Sequence, residues 1–172
     1  MKASDLRLSV REMVLFSLLG AMTFAAKYVM SWMPNIEPVS LMVMLFAVTF
    51  GWKALFPIYV YVLMEILFYG LGSWNFNYFY IWAILAFAAL ALRNMHDRLG
   101  WAILSGCFGL LFGVLCAPVD AFIGGFSYAL SKWVSGIPFD LMHCAGNFII
   151  ALLLFDPMRK LIEQLYQKTL HS

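Results

Sequence analysis

Long apolar runs alternate with short polar breaks along this chain, and the runs predict helices that cross a membrane. A helix needs about 20 residues to span the hydrocarbon core of a bilayer. Six runs reach or approach that length, separated by breaks such as "WMPNIEP", "GWK" and "RNMHDRLG". We therefore expect one all-α membrane domain, 1–172, of six transmembrane helices, with a tail after the last one. The predicted spans lie at about 13–33, 39–51, 55–71, 78–93, 101–117 and 138–155, and the tail covers 156–172.

Composition supports this interpretation. Hydrophobic residues make up 64% of the chain and charged residues 12%, against roughly 45–50% and 25% in an average soluble domain. A small soluble fold could not bury so much apolar surface. The start, "MKASDLRLSVRE", lacks the short apolar core and cleavage site of a signal peptide, so we expect the first apolar run to remain as a span.

The basic residues predict how the chain is oriented, because cytoplasmic loops carry an excess of Lys and Arg. If the N-terminus is inside, all but two of the 11 Lys and Arg residues are cytoplasmic, and Lys27 and Lys132 alone face outward. We expect both termini in the cytoplasm of a cell-membrane protein and a ligand site on the outer side. The net charge of +2 and the scattered basic residues do not favour a nucleic-acid partner.

The stretch "SGIPFDLMHCAGNF" places Asp140, His143 and Asn147 at helical steps of three and four. Residues with this spacing share one helix face. Polar groups at membrane depth usually face the protein interior or a wet pocket, so the stripe is a candidate pocket wall. The alternative is structural: Asp140, two residues after Pro138, favours the helix dipole, and the other two side chains bond to neighbouring helices.

Glu65 is the only acid in the apolar run "YVLMEILFYG". A carboxylate at the bilayer centre costs about 3 kcal/mol even on lenient insertion scales. We therefore expect Glu65 to face the interior, either protonated or paired. Its partner could be Lys27 or Lys132, or it could contact a ligand directly.

Aromatic and amide side chains crowd "GSWNFNYFYIW", which includes Trp74, Asn75, Asn77 and Tyr78. Such residues form interfacial belts in many membrane proteins. They could equally stack on a planar heterocycle, with an asparagine fixing its orientation. Glu37, in the preceding outer loop "MPNIEP", is a further candidate.

Signatures of catalysis, metal binding and nucleotide binding are weak. Asp140 and His143 could serve as acid and base or as two metal ligands, but no third ligand is evident. The cysteines are odd in number, lack CxxC spacing and lie in apolar segments, so we interpret Cys107, Cys116 and Cys144 as buried thiols. Walker, GxSxG and HExxH motifs do not occur. We expect no enzyme and no cofactor or metal bound by this chain.

Small residues in the first predicted span indicate a close helix contact. "GAMTFAA" separates Ala21 from Ala25 by four positions, a spacing that lets another helix approach closely.

Taken together, six short helices, the Ala21-xxx-Ala25 spacing, the outer polar and aromatic residues and the length resemble a known family. It is the substrate-binding (S) component of energy-coupling factor (ECF) transporters, small membrane proteins that capture vitamins in bacteria and related prokaryotes. The stretches "NIEPVSLMVMLFAVTFGWKAL" and "GIPFDLMHCAGNF" look like parts of such components. The resemblance covers nearly the whole chain.

The resemblance implies a six-helix fold that holds one vitamin near the outer surface, under the loop that is "MPNIEP" here. It also implies that Ala21 and Ala25 face a membrane scaffold subunit, that two ATPase subunits use ATP to drive import, and that the S component topples to release its ligand. Substrate residues differ among such components, so our candidates rest on position and chemistry. They are Glu37, Glu65, Trp74, Asn75, Asn77, Tyr78, Asp140, His143 and Asn147.

The candidate residues favour a planar, polar ring such as a pyridine, a pyrimidine or a flavin. A corrin stays open because His143 or Cys144 could ligate its metal. Two other classes also remain open at this point. One is a small intramembrane enzyme that uses Asp140 and His143, and the other is a structural membrane subunit without a ligand.

Overall fold

The computed structural model describes residues 7–32 and 36–171, and these residues form a helical bundle without β-strands. Four stretches of this described part are long and apolar enough to cross a membrane: Val10–Val29, Val39–Tyr69, Ser73–Ala91 and Arg98–Leu170. They indicate an all-α membrane protein, as predicted. The helices are α1 (Val10–Val29), α2 (Val39–Phe50), α3 (Leu55–Tyr69), α4 (Ser73–Ala91), α5 (Arg98–Leu110) and α6 (Phe112–His171), with a 3₁₀ turn at Gly51–Ala54 between α2 and α3.

The central helix is α2, in which every residue from Val39 to Ala47 is buried. At 1.5 Å per residue, its 12 residues extend only about 18 Å. It ends at Gly51, whose φ of 62° is one that side-chain-bearing residues rarely adopt. The chain reverses through the 3₁₀ turn and continues as α3.

Helices α1 and α3 run side by side in the same direction, since Glu12 contacts Lys53 near one end and Lys27 contacts Glu65 near the other. Gly20 lies at the closest approach, where an added Cβ would come within 2.7 Å of Val60. Glycine therefore permits this contact, in the way that small residues pack helices in membranes.

Helix α6 consists of two arms, because its path is broken at Gly125 (φ 82°, ψ 173°). The first arm is 112–124 and the second is 126–171. Lys132 contacts Asp120, and Phe155 stacks on Trp101 with ring centroids 4.6 Å apart. The second arm thus folds back antiparallel to the first arm and α5.

A stripe of glycines brings the second arm close to α5. Gly106, Gly109 and Gly113 are spaced by three and four residues, and an added Cβ at Gly109 would lie 2.7 Å from the carbonyl oxygen of His143. This close packing fixes the position of His143 relative to α5 and the first arm.

The helices extend beyond several predicted spans. Helix α4 begins at Ser73 rather than near 78, and the first arm of α6 continues through "CAPVDAFIGG", where the apolar pattern fades. Asp120 is tolerated there because Lys132 neutralises it. The prediction of buried thiols is wrong for Cys107, which is exposed, while Cys116 and Cys144 are half-buried and all three are free.

Candidate functional site

A cavity of about 390 Å³ lies where the N-terminus of α4 meets the two arms of α6. Its volume falls within the range of small-molecule sites, roughly 300–1,000 Å³. Aromatic and charged side chains share its walls, and the lining residues include Trp74, Asn77, Phe112, Asp120, Lys132, Trp133, Phe139, Asp140 and His143. Four of these, Trp74, Asn77, Asp140 and His143, were candidates from the sequence.

Asp140 and His143 both line the cavity and are nearly inaccessible, with exposed fractions of 7% and 4%. One carboxylate oxygen of Asp140, Oδ1, accepts a hydrogen bond of 3.1 Å from the Gly113 backbone N–H. Eight buried side-chain atoms of the described residues have no hydrogen-bond partner, and two of them, Asp140 Oδ2 and His143 Nε2, belong to residues that line the cavity. Buried polar atoms are usually paired, so these two atoms are the candidates in the wall for hydrogen bonds to a bound molecule.

Asn147, the third member of the predicted stripe, lies deeper and holds helices together instead. Its Nδ2 donates to Ser40 Oγ at 2.9 Å and to the Ser105 carbonyl at 3.3 Å. This is the cross-helix bonding that the structural alternative predicted, and it joins α2, α5 and α6.

The two asparagines of α4 also differ in role, since one lines the cavity and the other is structural. Asn77 lines the cavity, and its Oδ1 accepts a 3.1 Å hydrogen bond from the Tyr80 hydroxyl, which also contacts the Leu115 carbonyl. Asn75 is fully buried, and its Oδ1 accepts from the Gly72 N–H at 2.7 Å. Asn75 therefore caps the start of α4 and does not line the cavity.

The other three candidates surround Lys27. Its ammonium lies 3.0 Å from a carboxylate oxygen of Glu65, 3.1 Å from the Tyr78 hydroxyl and 3.9 Å from Glu37. The pairing of Glu65 with Lys27 confirms one of the two predicted partners. Lys132, the other predicted partner, contacts Asp120 at 2.5 Å. Burial raises the pKa of the Glu37 carboxyl, although the nearby Lys27 acts in the opposite direction.

A chain of aromatic rings connects this Lys27 cluster to the cavity. Ring centroids are 5.4 Å apart for Tyr78 and Trp82, 5.9 Å for Trp82 and Phe112, and 4.9 Å for Phe112 and His143. Such tilted and edge-to-face contacts are favourable geometries. The Lys27 cluster and the cavity are therefore neighbouring parts of the same end of the bundle.

Sequence reasoning missed the contribution of the first arm of α6 and of the Asp120–Lys132 pair. A signal was present in the sequence, because the acidic Asp120 and the basic Lys132 lie on opposite sides of the double glycine "GG", as they would on the two sides of a helical hairpin. Trp133 was missed because 118–137 fell outside the predicted spans. Phe139 lies inside the predicted span 138–155 and was missed because an apolar side chain in a span carries no local sign that it lines a cavity.

A second buried cluster lies at the opposite end of the bundle. Glu12, 3% exposed, accepts hydrogen bonds from Lys53 at 2.6 Å and from the Tyr166 hydroxyl at 2.9 Å. Its other carboxylate oxygen accepts from the Ser9 N–H at 2.9 Å and completes a capping box. The cluster joins α1, the 3₁₀ turn and the end of α6.

Ala21 and Ala25 lie in the C-terminal half of α1. Ala25 is exposed and Ala21 is half-buried, beside the exposed side chains of Leu18 and Met22. The buried face of α1 lies elsewhere and includes Phe16, Gly20 and Phe24. The Ala21–Ala25 face is therefore free to meet lipid or another helix.

Comparison of the chain with family models, curated proteins and solved structures gives no match. Across 7–32 and 36–171, no three His, Cys, Asp or Glu side chains converge on a point suited to a metal ion.

Proposed function

We propose that this chain is the substrate-binding S component of an ECF-type importer and that its cavity holds one small planar vitamin or vitamin precursor. Its partners would be a membrane scaffold subunit and two ATPase subunits, which supply the ATP hydrolysis. In this proposal six passes cross the cell membrane, both termini are cytoplasmic, and the cavity faces outward.

The observation that carries the proposal is the pair of unpartnered polar atoms in the cavity wall, Asp140 Oδ2 and His143 Nε2. A buried polar atom left without a partner costs about 1–3 kcal/mol, and a charged group costs more. Such a cost is expected where a ligand supplies the missing hydrogen bonds. The surrounding aromatic rings suit the flat face of a heterocycle.

The antiparallel hairpin of α5 and α6 supports the six-pass arrangement, because its two sides cross the bundle in opposite directions. The distribution of basic residues then favours cytoplasmic termini. With that orientation, the Lys27 cluster and the cavity lie at the outer side, and the Glu12 cluster lies at the cytoplasmic side.

The first test is native mass spectrometry of the purified chain, with extraction and identification of any retained molecule. We expect one vitamin-like molecule per chain, or binding of one member of a panel of water-soluble vitamins at submicromolar concentration. A chain that arrives empty and binds no panel member contradicts the proposal.

The proposed scaffold contact is tested by Ala25→Leu, which places a bulky side chain on the outer face of α1. We expect loss of co-purification with the scaffold and loss of uptake, while ligand affinity stays within about twofold, because close helix approach requires small residues. Met22→Leu, on the exposed side of the same helix, is the matched control. Loss of ligand binding in Ala25→Leu would refute the assignment.

An intramembrane enzyme is the second candidate, and the same two unpartnered atoms favour it, because acid–base catalysis also needs free polar groups. It predicts conversion of the bound molecule by the isolated chain and loss of that conversion in His143→Ala. Recovery of the ligand chemically unchanged after prolonged incubation would exclude this candidate.

A further inference from the structure

We infer that the ligand of this cavity is a positively charged nitrogen heteroaromatic molecule, with Asp140 as its counter-charge and His143 as the hydrogen-bond partner of a polar substituent. The inference rests on the proposed function and specifies the chemical class of its substrate. It follows from the charges of the wall, the burial of Asp140 and the aromatic surroundings.

The charged residues of the wall leave an excess of negative charge. Lys132 is the one Lys or Arg among the described residues that line the cavity, and its ammonium lies 2.5 Å from Asp120. Asp140 is the second carboxylate of the wall. Because Asp120 already neutralises Lys132, the charge that faces a ligand is that of Asp140.

The neighbouring cation does not change this balance. Lys27 lies on the far side of the aromatic chain, and Glu65 and Glu37 contact its ammonium at 3.0 Å and 3.9 Å. Glu65 and the Tyr78 hydroxyl accept hydrogen bonds from the ammonium, and Glu37 adds a second negative charge beside it. Lys27 is therefore committed to its own cluster.

Because Asp140 is buried, its carboxylate should attract a cationic ligand more strongly than an exposed carboxylate would. With 7% of the residue exposed and one oxygen bound only by the Gly113 N–H, the carboxylate has lost most of its hydration. Charge-assisted hydrogen bonds are about twice as strong as neutral ones, and low local dielectric strengthens the attraction further. An anionic ligand would instead face an unpaired carboxylate.

The rings around the cavity favour an aromatic cation over an aliphatic one. Trp74, Trp133, Phe112 and Phe139 all contribute to its lining. Flat rings stack on such walls, and the electron-rich face of a Trp or Phe ring attracts a cation. The volume of about 390 Å³ also exceeds what a bare metal ion or ammonium would need.

Two sets of pyridine compounds, each with a common ring and three charge states, test the inference. The first is N1-methylnicotinamide, nicotinamide and nicotinate, and the second is pyridoxamine, pyridoxine and 4-pyridoxate. Affinity is measured by calorimetry on the full chain in lipid nanodiscs. We expect the cation of at least one set to bind at least tenfold more tightly than its neutral and anionic counterparts.

Two substitutions test whether Asp140 and Asp120 cause the preference for cationic compounds. Asp140→Asn keeps an oxygen for the Gly113 N–H, so the fold should persist, and we expect it to weaken binding of the cation about 10- to 100-fold and binding of the neutral compound less than threefold. Asp120→Asn leaves Lys132 without its counter-charge, so we expect a smaller difference in affinity between the cationic and the anionic compounds. The thermal unfolding midpoint of each variant reports whether it is folded.

Every outcome decides the question. If the tightest ligand among these compounds and the vitamin panel is neutral or anionic, or if Asp140→Asn binds the cation as tightly as the parent chain, the inference is overturned and the transport proposal stands. If nothing binds, both are contradicted. If a larger cationic vitamin binds best and loses affinity in Asp140→Asn, the inference is supported.

Discussion

The Lys27 cluster and the cavity lie side by side at one end of the bundle, yet their buried charges are treated differently. Around Lys27, the carboxylates of Glu65 and Glu37 and the hydroxyl of Tyr78 all approach one ammonium. In the cavity, Asp140 keeps one oxygen without a partner among the described residues. The carboxylates around Lys27 share a cation of the chain itself, whereas the unpaired oxygen of Asp140 would find its partner in the proposed ligand.

The difference separates two reasons for polar residues in an apolar bundle. A buried ion pair that is broken on one side leaves an uncompensated charge and strongly destabilises the fold. A buried carboxylate that is already unpaired carries its cost in the free protein, and a ligand can relieve it. Substitutions in the Lys27 cluster should therefore change stability, whereas those in the cavity should change binding.

The largest expected effect is that of Lys27→Met. It leaves Glu65, 2% exposed, without its cation, so we expect a loss of about 3–5 kcal/mol in the free energy of unfolding, measured by denaturation in mixed micelles. Arg159→Met is the matched control, because it also removes one cation from one carboxylate, but the side chains of Arg159 and Glu163 are 29% and 43% exposed. Its loss should be about 1 kcal/mol or less. Equal losses of unfolding free energy in the two variants would contradict the view that Lys27 belongs to a buried ion pair that the fold requires.

The all-α class and the positions of the helices could be predicted in large part from the sequence, because long apolar runs form membrane helices. Pairing was harder. The need of Glu65 for a partner followed from its apolar surroundings, but choosing Lys27 over Lys132 required knowing that α1 and α3 run in the same direction. The hairpin at Gly125 was missed, since Pro118, Asp120 and the double glycine interrupt the apolar pattern that the prediction relied on.

A smaller effect is expected at the opposite end of the bundle. Tyr166→Phe removes the 2.9 Å hydrogen bond to Glu12 while Lys53 still neutralises the carboxylate. We expect a loss of about 1.5–3 kcal/mol in the free energy of unfolding, the range for hydrogen bonds to charged groups, and an unchanged ligand affinity. Tyr128→Phe, where 47% of the residue is exposed, is the control and should change stability little. A change in affinity in Tyr166→Phe would mean that this cluster is coupled to the cavity.

The candidate site was predicted in part, and the part that was missed has a physical reason. Helical spacing placed Asp140, His143 and Asn147 on one face, but spacing does not say how deep each lies or what packs against it. The glycines opposite them, at 109 and 113, bring the first two against the cavity, while Asn147 meets Ser40 of α2. Contacts between segments more than 100 positions apart are not encoded in a local pattern.

The smallest expected effect on stability is that of a change at His143. This residue lines the cavity, and it can be compared with Asn147 on the same helix face, which joins helices. His143→Leu removes a ring whose Nε2 lacks a partner in the described structure, so no bond to that atom is lost, and we expect the free energy of unfolding to change by less than about 0.5 kcal/mol while ligand affinity falls. Asn147→Leu, one turn further along, leaves Ser40 and the Ser105 carbonyl without their donor and should cost about 1–3 kcal/mol. Measured together by denaturation and calorimetry, the two variants should move different quantities. If His143→Leu proves as destabilising as Asn147→Leu, the imidazole holds the fold together, and the cavity wall loses one of its two free atoms.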